Sequence, residues 1–314
     1  MIVTTTERAE FKRCRRRWYF GSPNCMKLTR ITPSPALALG TLIHNTLAEW
    51  LVNPEINTGE QFMKFAVESV DKAREIYKNQ VGCLPSNEEL AGLLDSVELG
   101  KAMVENYQAF WGSPLPKGFD IIAPEQKVEI PIPGTVHFLE SKLDGVVSSP
   151  KGNLFVLEHK TYGNRPKLET LQSNDQFLAY VWALTKLDLG NVSGLAYDGM
   201  WKRAVPPRGS KIEDLFTRSF IIRPQNELDE FALFLATEVI EMDNVKNWAE
   251  QDVTIGEAET PLDSSILYIN RRWEGCFDCS YEPLCTAKSK GEDMEHIMKS
   301  MFTVKPDEPT GDNE

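Results

Sequence analysis

Leu154, Phe155, Val156 and Leu157 are four consecutive apolar residues, preceded by the turn-forming stretch SPKGN and followed at once by Glu158, His159 and Lys160. A short apolar run bounded by turn residues reads as a strand covered on both faces, which requires a sheet with other layers packed against it. Because side chains alternate along a strand, Glu158 and Lys160 leave it on one face. Opposite charges at the end of a buried strand are costly unless something compensates them.

The rest of the chain supplies the layers. With 314 residues, 41% of them hydrophobic and 25% charged, the chain can bury one large core or two modest ones. SPALALGTLIHNTLAEWL places Leu39, Ile43, Leu47 and Trp50 at helical spacing, and amphipathic patterns continue over 59–80 and 86–111. Strand patterns follow near 119–131, 135–148 and 153–161, then a helix near 167–187, strands near 192–203 and 214–223, and a helix near 226–247. The end is Cys-rich and irregular. The order predicts one α/β domain over 1–290, with a helical part at about 1–112, a core at about 113–250 and a Cys-rich segment at about 265–290; 291–314 read as an acidic, flexible tail. No stretch has the length and apolarity of a signal or membrane segment, so a cytoplasmic location is expected.

The hairpin loop SPKGN fixes a register. If Ser148 faces Leu154, Asp144 falls opposite Glu158, with Cβ atoms about 5 Å apart. Facing carboxylates repel, and a hard divalent ion such as Mg²⁺ or Mn²⁺ relieves that repulsion. Lys160 would then orient an attacking water or stabilise charge at a phosphoryl centre. Read alone, the same residues are also a turn-capping Asp and an ordinary Glu–Lys ion pair. Two further pairings bear on the choice: Gly40 lies one turn before His44 on the first long helix, and Gln176 and Tyr180 share a face of the helix after the strand.

In this order, GTLIH, LDGVV, LEHK and QFLAY resemble the RecB-like branch of the PD-(D/E)XK nuclease superfamily, over roughly residues 7–285. The resemblance implies a restriction-endonuclease-like core, a mixed central sheet flanked by helices. It implies His44, Asp144 and Glu158 as ligands of Mg²⁺ or Mn²⁺, joined by the backbone carbonyl of His159. Lys160 takes the catalytic role, and Gln176 and Tyr180 position the DNA backbone or the lysine.

The cysteines extend the pattern. Cys276, Cys279 and Cys285 are spaced C-x2-C-x5-C, and a closed four-thiolate site needs one more, for which Cys14 in FKRCRRRWYF is the best candidate. Four thiolates suit zinc as well as iron. The arrangement resembles the iron–sulfur nucleases of the RecB-like branch, similar to the CRISPR-associated exonuclease family and the AddB-type nuclease domain, which implies a structural [4Fe–4S] cluster on Cys14, Cys276, Cys279 and Cys285. Tying the two chain ends together in this way would restrict the unfolded chain as a long-range cross-link does. Cys25 and Cys83 read as free buried thiols.

The net charge of −12 argues against a protein that coats nucleic acid non-specifically, so an anionic substrate must meet a local basic surface. Lys12, Arg13, Arg15, Arg16 and Arg17, interleaved with Trp18 and Tyr19, are a candidate approach for a single strand, unless acidic neighbours neutralise them. The expected activity is a metal-dependent DNA exonuclease acting on single-stranded DNA or free ends. The alternatives are a DNA-binding or assembly module with weak or no nuclease activity, or a site-specific endonuclease of the same superfamily. No G-x-x-x-x-G-K-[ST] is present, so unwinding would need a helicase or another recombination or CRISPR-adaptation protein as partner.

Overall fold

The computed structural model describes residues 1–31, 34–270, 276 and 278–305. Residues 271–275 and 277, within the expected cluster-binding segment, lie outside the described residues, as do 306–314 of the expected tail. The N-terminal elements are β1 (Ile2–Thr4), α1 (Thr5–Arg13), α2 (Arg15–Gly21), β2 (Leu28–Arg30), α3 (Pro35–Val52), α4 (Thr58–Val81) and α5 (Asn87–Trp111). Strands follow: β3 (Asp120–Ala123), β4 (Gln126–Pro131), β5 (Phe138–Leu143), β6 (Gly145–Ser148) and β7 (Leu154–Tyr162). Then come α6 (Leu168–Gln172), α7 (Asp175–Thr185), β8 (Val192–Trp201), β9 (Phe216–Ile222), α8 (Gln225–Thr254), α9 (Glu282–Lys290), α10 (Met294–Met301) and β10 (Phe302–Val304).

The chain forms two units, one of residues 32–236 and one that joins 1–31 with 237–314. In the 32–236 unit a five-stranded sheet runs β3-β6-β7-β8-β9. Only β7 and β8 are parallel, and α6 and α7 provide their crossover. The sheet is therefore mixed and flanked by helices, the restriction-endonuclease-like arrangement. β7 is central, and Leu154 to Leu157 are all buried, as a strand covered on both faces requires.

Alternation on β8 separates the two layers. Ala196 and Met200 pack toward the α3–α5 side, with Leu51 of α3 and Tyr107 of α5 among the buried residues there. Tyr197 points the other way, its ring 5.8 Å from Phe177 of α7. Proline at the first turn starts α3, whose inward stripe is Leu39, Leu42, Ile43, Leu47 and Trp50.

Three expected elements are interrupted. The helix expected over 167–187 stops at Ser173 and restarts at α7, because the Asn174 side chain accepts from Phe177 N–H and caps a new helix. The strands expected over 119–131 and 135–148 each break in two. β3 and β6 enter the five-stranded sheet, whereas β4 and β5 pair with each other outside it. The break in the second strand falls at Asp144.

Close strand packing makes Gly194 a sensitive position. A Cβ there would lie 2.0 Å from the Ile221 carbonyl oxygen, which is β9 backbone and not a movable side chain end. Gly194→Ala is expected to destabilise the protein by about 1–3 kcal/mol through overpacking, measured as a lower urea midpoint.

In the other unit, residues 291–305 carry structure where a tail was expected. Asp293 caps α10, β10 pairs antiparallel with β2, and Phe302 is buried with its ring stacked on Tyr281 at 5.6 Å. The apolar side chains of the short segment MEHIMKSMFTV account for this better than its acidic surroundings did.

Candidate functional site

The hairpin register pairs Ser148 with Leu154, Val147 with Phe155, Val146 with Val156 and Gly145 with Leu157. One step further, the ladder gives way to a side chain. Asp144 sits at the joint between β5 and β6, and its Oδ2 accepts the His159 backbone N–H at 2.7 Å. The bend thus frees a carboxylate from the strand and holds it against the end of β7. From α3, His44 Nδ1 lies 3.0 Å from Asp144 Oδ1. The Lys160 ammonium is 2.6 Å from Glu158 Oε1, and Glu158 is buried while Lys160 is partly exposed. On α7, Gln176 Nε2 donates to Tyr180 Oη at 2.7 Å.

The charges on these groups are strongly biased. Burial pushes Glu158 above the usual carboxylate range, the Asp144 charge adds to it, and Lys160 offsets only part. Burial also opposes ionising Asp144, but hydrogen bonds to His159 and His44 outweigh it and hold Asp144 well below that range. Burial disfavours a charged His44, yet its hydrogen bond to Asp144 and the nearby carboxylates raise its pKa. Two neighbouring carboxyl groups pushed in opposite directions form a site that gains from an added cation. The carboxylate and carbonyl oxygens suit Mg²⁺ or Mn²⁺, whereas an imidazole is a donor more typical of transition metals and so leans the set toward Mn²⁺. Among the described residues, no three His, Cys, Asp or Glu side chains are already gathered in metal-coordinating geometry. Here Glu158 engages Lys160, and Asp144 engages His44 and His159.

The four cysteines of the expected cluster belong to the unit of residues 1–31 and 237–314. Burial pushes the Cys285 thiol up to about 11; Arg16 opposes this, and Cys279, Cys14 and Cys276 are all near enough to add to it. All four are partly buried free thiols. Cys25 is partly buried and pushed up to about 12 by burial, whereas Cys83 is exposed, contrary to the expectation of a buried thiol, because it directly follows the left-handed Gly82 that ends α4.

A family model described as the PD-(D/E)XK nuclease superfamily matches residues 3–286. The chain belongs to the PD-(D/E)XK nuclease superfamily. Among solved structures, one described as "Crystal structure of SSO0001" is similar at 16% identity, covering 79% of this chain and 95% of that chain with a TM-score of 0.33. No curated protein gives a significant match. Membership of this superfamily makes a metal-dependent nuclease the coarse functional class, with DNA as the substrate that class implies. Among the described residues, no helix is long and apolar enough to cross a membrane.

Beside the end of β7 lies a polar network that the sequence reading missed. Tyr107 of α5 donates to Asp198 Oδ2 at 2.6 Å, and the Arg218 guanidinium of β9 reaches the same oxygen through Nε at 3.0 Å. The Arg218 guanidinium also lies over the Trp111 ring at 3.9 Å. Asp198 is paired with His159 across β7 and β8, which puts this network directly beside the stretch Glu158 to Lys160. The available signal was a lone acid within the apolar strand GLAYDGMW.

Most of the basic segment at 12–17 is paired with carboxylates. Lys12 and Arg8 pair with Glu238, Arg13 with Asp278, Arg15 with Glu241 and Arg17 with Glu10. Arg16 donates to the carbonyl oxygens of Leu262 and Leu267. Trp18 and Tyr19 are buried. These contacts hold their unit together, and the burial of Trp18 and Tyr19 closes those two rings to base stacking.

Proposed function

We propose that the protein is a metal-dependent DNA exonuclease of the RecB-like branch, acting on single-stranded DNA or free ends, with a structural [4Fe–4S] cluster in its other unit. The observation that carries this reading is the convergence of Asp144, Glu158, Lys160 and His44 where β5 breaks from β6 against the end of β7. His44, Asp144, Glu158 and the carbonyl of His159 would hold Mg²⁺ or Mn²⁺. When bound, the metal supplies Lewis-acid polarisation of a phosphodiester oxygen and charge neutralisation.

The remaining work falls to the chain. The Lys160 ammonium, which lies against Glu158 at 2.6 Å, would orient the attacking water or face the developing negative charge. Gln176 and Tyr180, already bonded to each other on α7, form a polar pair for positioning the DNA backbone or Lys160. The mutual influence of four thiols supports the cluster assignment, and the partner of choice for unwinding is a helicase or another recombination or CRISPR-adaptation protein.

The test is anaerobic purification with iron and sulfide analysis, followed by digestion of end-labelled single-stranded DNA in Mg²⁺ or Mn²⁺. Lys160→Ala is expected to lower the rate by roughly 10²–10³ or more while preserving the fold. Zinc in place of iron would remove the cluster and leave the nuclease. Equal cleavage by both proteins, or none by the wild type, would remove the catalytic assignment.

A further inference from the structure

The strongly negative chain keeps one group of cations unneutralised. The loops at 163–167 (GNRPK) and 202–211 (KRAVPPRGSK) contain Arg165, Lys167, Lys202, Arg203, Arg208 and Lys211 and no acidic residue. Lys211 pairs with Glu213. Among the described residues the other five form no ion pair, in contrast to the segment at 12–17, whose charges are mostly consumed by carboxylates. Arg165 is anchored through neutral partners only, Thr217 Oγ1 at 2.8 Å and the Phe216 carbonyl at 2.6 Å, so its charge stays uncompensated.

The two loops form one surface. Trp201 Nε1 donates to the Gly163 carbonyl at 2.6 Å, and Lys202 N–H donates to the Tyr162 carbonyl at 2.9 Å. Trp201 is paired with Tyr162, two residues beyond Lys160 on β7, or about 7 Å along the strand. The half-buried Trp201 ring carries the exposed Arg203 guanidinium 4.5 Å from its centroid. An aromatic and guanidinium stack among unpaired cations is what the bases and phosphates of an unpaired strand recognise.

We propose that the 163–167 and 202–211 loops, with Trp201 and Arg203 at their junction, bind the single DNA strand that enters the site at Lys160. The proposal rests on the nuclease reading for the identity of the strand. Phosphates meet Arg165, Lys167, Lys202 and Arg208, and a base meets the Trp201–Arg203 stack. Keeping carboxylates out of these loops matters because each phosphate contact gains from counterion release only if the cation is not already neutralised.

The test uses the full chain carrying Lys160→Ala, so that the strand survives, and measures binding of labelled single-stranded oligodeoxythymidine over a salt series. Adding Lys167→Gln and Arg208→Gln, both exposed, is expected to lower the slope of log affinity against log salt by about 1.4, at ~0.7 per lost phosphate contact, and to weaken low-salt binding roughly tenfold. Lys290→Gln with Lys299→Gln, in the other unit, is the control. Trp201→Leu is expected to weaken single-strand binding several-fold more than duplex binding. Unchanged slopes, or equal losses from the control pair, overturn the proposal. So does tighter binding of duplex DNA or RNA than of the single strand. Reduced binding by the loop variants together with no cleavage by the protein bearing native Lys160 would retain the surface and discard the nuclease reading; cleavage lost only with Lys160, with loop variants binding normally, would do the reverse.

Discussion

Asp198→Ala is expected to destabilise the protein by roughly 3–5 kcal/mol, because it removes one partner of a buried ion pair and leaves the other charge in place. The magnitude follows from who depends on Asp198. Its Oδ2 accepts from both Tyr107 and Arg218, and Arg218 sits over Trp111 with little access to water. Without the carboxylate, a fully buried phenol loses its acceptor and a largely buried guanidinium loses its counter-charge, keeping only the neutral Tyr107 hydroxyl and Pro114 carbonyl. The other carboxylate oxygen, Oδ1, is buried and lacks a hydrogen-bond partner among the described residues, so the native arrangement already bears a desolvation cost. Asp198→Asn retains one acceptor at the same place and is expected to cost less, about 1–3 kcal/mol. Urea unfolding of the full-length variants separates the two expectations. If Asp198→Ala unfolded at the wild-type midpoint, the network would contribute nothing to holding α5 against β8 and β9.

That network also marks where sequence reading stops. Strand periodicity and the SPKGN loop are local, and they were enough to align Ser148 with Leu154 and bring Asp144 to the end of β7. The bend that detaches Asp144 from the ladder was not visible, because it arises when β5 and β6 commit to different partners. Nor were the ion pairs of Arg8, Arg13 and Arg15, each with a carboxylate more than 200 positions away. A run of arginines looks like an anion-binding surface until folding brings acids to it. The basic loops at 163–167 and 202–211 were less conspicuous in the sequence, yet among the described residues only Lys211 of their six cations meets a carboxylate. Density of charge in sequence and uncompensated charge in space are different quantities.

Glu158→Gln is expected to separate stability from activity. Glu158 has its pKa raised by burial and by Asp144, so the metal-free fold favours its protonated form. The sign follows directly: a carboxyl whose folded pKa exceeds its unfolded one contributes stability that is complete below the ordinary glutamate range and is lost as pH rises through the raised value. Above neutrality the metal-free protein therefore holds two charged carboxylates side by side, which Lys160 relieves only in part. Glutamine has nearly the same shape, cannot ionise and can still accept from Lys160, so the metal-free variant is expected to match or exceed wild-type stability at pH 8 and to lose the advantage near pH 5. Mg²⁺ or Mn²⁺ should stabilise the wild type more at pH 8 than at pH 6, since binding requires the Glu158 proton to leave, and should do little for the variant. Hydrolysis of end-labelled DNA should fall by roughly three orders of magnitude or more, because in the proposed mechanism the negative charge of Glu158 would be needed to hold the cation. Thermal melts at the two pH values, with and without the metal, read the first effect, and a cleavage assay reads the second. A variant less stable than wild type at pH 8, yet equally active, would place the charge of Glu158 in the service of the fold and remove it from the reaction.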